Sequence, residues 1–127
     1  MTRHTIPFTI SHMQNGFSQE NGLLQIRNDE LLFEFEKVDT ATGLPKFGTS
    51  EIHVPFSEIE SIIFRKKWIG AVVDVATKSI KALEDVPGAS QGRCTLQIKR
   101  TDRARAEKNI STARLWLSEY RLKELGE

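Results

Sequence analysis

The sequence holds one cysteine, Cys94, four prolines and no long apolar run, and each shortage removes a class of protein. A single thiol cannot close an internal disulfide or build a metal knuckle, so the fold must rest on its core, and a reducing cytoplasm is the expected setting. No stretch approaches the roughly 20 apolar residues of a membrane-spanning helix. The opening "MTRHTIPFTISHMQNG" is too short and polar for a signal-peptide core. Histidine is scarce: His4, His12 and His53 are scattered, with no His-x-x-x-His or Glu-x-x-His spacing. No metal or cofactor is therefore expected. "GLPKFGTS" copies the glycine spacing of a phosphate-binding loop but puts Thr49 where the lysine must be. "NIS" at Asn109 to Ser111 fits a glycosylation acceptor but falls in a helical stretch, and it carries no weight.

What is present suits one domain over residues 1–127, with 39% hydrophobic and 28% charged residues, long enough to bury a core unaided. Net charge is only +1, yet its layout is lopsided. Up to Glu60 there are 4 Lys/Arg against 9 Asp/Glu; from Ser61 onward there are 14 against 8. Such asymmetry serves either an anionic partner or the attraction of two faces of one fold. The basic residues are spread over several elements, which favours the second.

Short runs of period two dominate residues 5–100, the spacing that puts alternate side chains on one face of a strand. Ile6, Phe8 and Ile10 alternate in "TIPFTIS"; Leu24 and Ile26 in "GLLQIRN"; Leu31, Phe33 and Phe35 in "LLFEFEKV". Ile52, Val54 and Phe56 follow, then Ile62 and Phe64, then Val73 and Val75, then Cys94, Leu96 and Ile98. Seven strands are predicted. Asp74 falls opposite Val73 and Val75 and should face solvent, whereas Cys94 should be a small core residue. The pairs Asn15-Gly16 and Asn21-Gly22 mark a loop or twisted hairpin between the first two strands.

The period then changes. From Thr101 no Gly or Pro occurs before Gly126, and Ala106, Ile110, Ala113, Leu117 and Tyr120 share one face of a helix over about 102–125. Thr101 or Asp102 can cap its start and Gly126 can end it. Trp116 lies at the margin of the apolar face, and Leu115 and Leu122 lie opposite it.

Strands in this number curl to hide their edges, and one long amphipathic helix can plug an open end. In "GLLQIRNDELLFEFE", in "IHVPFSEIESIIFRKKWIG" and in "GRCTLQIKRTDRARAEKNI" the chain resembles bacterial members of the pleckstrin-homology-like (PH/GRAM-like) superfold. That resemblance implies a mainly β chain: a seven-stranded antiparallel barrel of two near-orthogonal sheets capped by the C-terminal α-helix. The superfold hosts lipid, phosphopeptide, polyproline and protein binders, so it implies a binding module rather than one ligand. Phosphoinositide binders of the family place several cations in the first hairpin loop. Here "SHMQNGFSQENG" has none.

Three surfaces are candidates. The compact basic cluster Arg65, Lys66, Lys67 and Trp68, at a hairpin tip, either touches an anionic surface or is a solvated turn with Trp68 folded back over the barrel end, and the turn is the simpler reading. "LEDVPGASQGRC" is rich in turn formers and lacks both lysine and a following helix, so it is a rim connection exposing Lys81, Glu84, Asp85 and Arg93. Leu115 and Leu122 form a candidate self-association stripe, which leaves a homo-oligomer open. No catalytic set can be assembled, and no basic-aromatic stripe suits nucleic acid. The expectation is a non-catalytic binding or scaffolding module for a protein or peptide, reached through a sheet edge, the open end or the outer helix face. A peripheral membrane module using the basic tip is the alternative, and a small enzyme is a distant third.

Overall fold

The computed structural model describes residues 4–13, 17–38 and 45–126, with side chains of 12, 13, 17–19, 37, 38 and 45–49 left aside. The Asn15-Gly16 pair lies outside the described residues, and so do the side chains of His12 and Thr49. All seven expected strands form: β1 (Thr5–Met13), β2 (Phe17–Ile26), β3 (Glu30–Val38), β4 (Pro45–Pro55), β5 (Ile59–Lys66), β6 (Ala71–Thr77) and β7 (Arg93–Ile98). One helix, α1 (Arg103–Leu125), follows. The strands make one antiparallel sheet in the order β4-β3-β2-β1-β7-β6-β5. The sheet is not closed, since β4 and β5 stand at its two ends. β1 and β7 share a single register pair, Thr9 with Gln97, so four strands and three strands meet at a narrow seam.

The period-two residues fill the core as their alternation requires: Ile6, Phe8, Ile10, Leu24, Phe33, Val73, Cys94 and Leu96 are all buried. β3 and β6 depart from simple alternation: Leu32 is buried beside Leu31 and Phe33, and Val72 and Ala76 are buried although they share a face with Asp74. Val72 sits between its register neighbours Arg65 and Gln97, and the Arg65 side chain crosses that face to reach Asp74.

Three features differ from the sequence reading. Asn21-Gly22 is not a turn: Gly22 lies inside β2, paired with Phe8 on one side and Phe35 on the other. A Cβ there would meet Phe8 Cζ at 2.5 Å and the Glu34 carbonyl oxygen at 2.6 Å, so glycine is required by close approach rather than by a turn. The connection between β6 and β7 is anchored in the core. Its short 3-10 turn Lys81–Leu83 packs against β4, and Leu83 and Val86 are buried in the main cluster. Finally, neither Thr101 nor Asp102 caps α1 with its side chain; a 3-10 turn, Arg100–Asp102, leads into the helix instead.

The helix buries Ala106, Ile110, Ala113 and Leu117, with Trp116 and Tyr120 half-buried beside them. Two alanines let the backbone sit close to the sheet. Asn109 joins that buried stripe, unforeseen from the hydrophobic period. Its Nδ2 donates to the Thr5 carbonyl at 3.1 Å and its Oδ1 lies 3.3 Å from His4 Nδ1, so its burial is compensated. Edge-on ring contacts, His4 with Trp116 and Phe56 with Tyr120, fix the helix at two heights. Among the described residues, no helix is long and apolar enough to cross a membrane.

Candidate binding groove

In an antiparallel ladder, successive residues point their N–H and C=O alternately to one neighbour and to the other. The Lys67 amide bonds the Gly70 carbonyl at 3.2 Å, and Lys66 pairs in register with Ala71. Arg65, Ile63 and Ser61 therefore bond to β6, and Lys66, Phe64 and Ile62 point their backbone groups away from it; the register shifts between Ile59 and Ser61, before this row. Because β5 ends the sheet, that outward row has no neighbouring strand among the described residues. Arg121 of α1 donates to two carbonyls just before the row, Glu60 at 2.6 Å and Ile59 at 3.1 Å.

Beyond Arg121 the row opens into a groove of about 540 Å³ between β5 and α1, lined by Glu60 to Ile63, Ser111, Arg114, Leu115, Leu117, Ser118 and Arg121. Ser111 and Ser118 are two helical turns apart, so both fall on the groove side, where their small side chains keep the wall low. Ile63 and Leu115, 46% and 57% exposed, are the apolar contacts on offer. A hollow of about 420 Å³ continues the groove past Phe64, Lys66 and Glu107, sharing Ser111 and Arg114 with it. Lys66 Nζ is held by Glu107 at 3.1 Å. Arg114 makes no ion pair among the described residues, which leaves a free cation on the wall. A separate hollow of about 430 Å³ lies over Gly22, Phe35, Glu34 and Lys99, where the register pairing of β2 with β3 ends at Gly22 and Phe35.

The basic cluster is divided by the fold. Arg65 Nε donates to Asp74 Oδ2 at 2.6 Å, and Thr95 Oγ1 donates to Asp74 Oδ1 at 2.8 Å. The Arg65 hydrogen bond holds the Asp74 carboxyl below its usual range, against an opposing push from partial burial. Asp74 raises Arg65 in turn. Lys66 turns to Glu107, whereas Lys67 stays at the tip beside Trp68. Trp68 does not fold back: it is 96% exposed, and Ile69 is 70% exposed.

Lys81, Glu84, Asp85 and Arg93 are exposed on and beside the β6–β7 connection. Arg93 exchanges backbone bonds with Ser90 at the start of β7, apart from the other three in sequence. Of the two outer leucines, Leu115 belongs to the groove, whereas Leu122 is exposed elsewhere on the helix. Cys94 is buried, and burial pushes its thiol up to about 12. His53 faces outward between Glu30 and Glu51 at 3.0 and 3.5 Å. No group of three His, Cys, Asp or Glu among the described residues could hold a metal ion.

The groove was visible in the sequence only as the general option of a sheet edge. Ile63 is the residue that points to it, an isoleucine between Ser61 and Arg65 on the outer side of β5. No family model, curated protein or solved structure matches the chain.

Proposed function

We propose that the chain is a non-catalytic binding module of pleckstrin-homology-like architecture that takes an extended peptide segment of a partner protein as an added strand on β5. The architectural half of this reading is supported by the grouping of four strands and three strands about the Thr9–Gln97 seam, with a single helix after the last strand. The functional half rests on one observation: the outward backbone row of Ile62, Phe64 and Lys66 opens onto a groove that α1 borders but does not fill. Strand addition takes its affinity from such main-chain groups and its selectivity from the side-chain contacts beside them. Ile63 and Leu115 offer an apolar contact, and Arg114 favours a segment carrying a carboxylate.

The test is selection from a displayed library of random peptides, followed by titration of the selected peptide. Ser118→Trp fills the groove from an exposed helix position and leaves β5 untouched. It is expected to abolish binding while the thermal midpoint stays unchanged. Full binding by a folded Ser118→Trp protein would refute the reading. Arg114→Glu is expected to weaken acidic peptides about tenfold, within the range of a charge-assisted hydrogen bond.

A further inference from the structure

Trp68 and Ile69 hold the central positions of the β5–β6 hairpin tip, at negative φ that most residues can adopt. Glycine appears only afterwards, at Gly70, whose φ of +76° absorbs the left-handed step. A side chain at Gly70 would collide with the Ile98 carbonyl oxygen, so the tip is pressed against the end of β7. Arg103 donates to the Lys67 carbonyl at 3.4 Å, tying the same tip to the start of α1. The two apolar side chains are therefore thrust into solvent from a held base, and nothing in the turn's own geometry requires them. Large apolar side chains exposed side by side at a held position mark an interaction surface.

The charge around the tip is one-sided. Arg65 and Lys66 are matched by Asp74 and Glu107, but Lys67, Arg100 and Arg103 stand near the tip, with Asp102 the acid next to them in sequence. A tryptophan with an aliphatic neighbour beside several cations complements an anionic lipid interface: indole sits at headgroup depth, the aliphatic side chain below it, and the cations meet the phosphates. We propose that Trp68 and Ile69 insert into the surface of an anionic phospholipid membrane, with Lys67, Arg100 and Arg103 on the headgroups. This surface lies at the far end of β5 from Arg121, and it stands independently of peptide binding in the groove.

The test is co-sedimentation of the full chain with vesicles of phosphatidylcholine alone and of phosphatidylcholine mixed with phosphatidylserine. Binding is expected only to the mixed vesicles, falling as salt rises, and undiminished by inorganic phosphate at matched ionic strength. Lys67→Ala and Arg100→Ala should each weaken it about fivefold, and Trp68→Ser with Ile69→Ser should abolish it with the fold intact. In vesicles containing brominated lipid, the wild-type fluorescence should be quenched and that of Trp68→Phe should not, which separates Trp68 from Trp116. Failure to sediment with the mixed vesicles would overturn the proposal, as would equal binding by the Trp68→Ser, Ile69→Ser protein. Competition by inorganic phosphate would overturn it too, assigning the cations to a soluble anion.

Discussion

Arg121 donates to the Glu60 carbonyl at 2.6 Å, so the helix holds the start of the edge strand just before its outward row and leaves that row open. The chain thus protects one end of β5 with its own side chain, a common way of limiting unwanted pairing at an edge. Arg121→Met keeps the aliphatic stem and removes the donor. The expected cost is about 1 kcal/mol in urea unfolding, the usual net worth of one such bond. A cost near zero would mean that water replaces Arg121 fully.

Gly22 is held by two neighbours of different kinds, the Phe8 ring tip and the Glu34 carbonyl oxygen. Gly22→Ala is expected to destabilise the fold by about 1–3 kcal/mol, as overpacking does. Phe8→Leu should recover only part of that loss in a double-mutant cycle, because the backbone oxygen cannot retreat without parting β2 from β3. Full recovery would place the whole conflict at the ring.

Leu83 sits within a connection rich in turn formers, yet it is buried in the main core. Leu83→Ala should cost about 2–5 kcal/mol by chemical denaturation, the range for an aliphatic side chain truncated in a core. Glu84→Ala, one residue on and exposed, should be silent. Similar values for the two would show the loop to be only loosely attached.

Asp74 carries a pH signature. Its carboxyl is held below the ordinary value by Arg65, so the folded state gains from the charged form above the unfolded value and loses that gain as pH falls through the folded one. Asp74→Asn should therefore be slightly less stable than wild type at neutral pH. The gap should close as acid protonates the wild-type carboxylate, followed by thermal melts across the acid range. A gap that is constant with pH would assign the effect to packing.

The strands were legible because each has a buried face, and a period of two survives any choice of neighbours. Strand order is not written in that period, so Ile62, Phe64 and Lys66 could be assigned to a strand but not to an edge. Asn21-Gly22 misled because the same dipeptide serves a tight turn and a close strand crossing, and only the Phe8 ring across the sheet distinguishes them. Leu83 and Val86 were hidden among Pro, Gly and Ser, where the surrounding turn formers outweighed two apolar residues. Asn109 interrupts an apolar stripe, and its partners, His4 and Thr5, come from the other end of the chain. Trp68 was read as folding back because apolar burial is the default; the held hairpin at Gly70 prevents it.

Amide hydrogen exchange along β5, read residue by residue by NMR with and without a selected peptide, reports strand addition at this edge itself. In the free protein, Ser61, Ile63 and Arg65 should exchange slowly through their bonds to β6, and Ile62, Phe64 and Lys66 should exchange quickly. Peptide should protect Ile62, Phe64 and Lys66 and leave the other three unchanged. Peptide protection spread evenly along β5, or confined to residues outside it, would contradict strand addition at this edge.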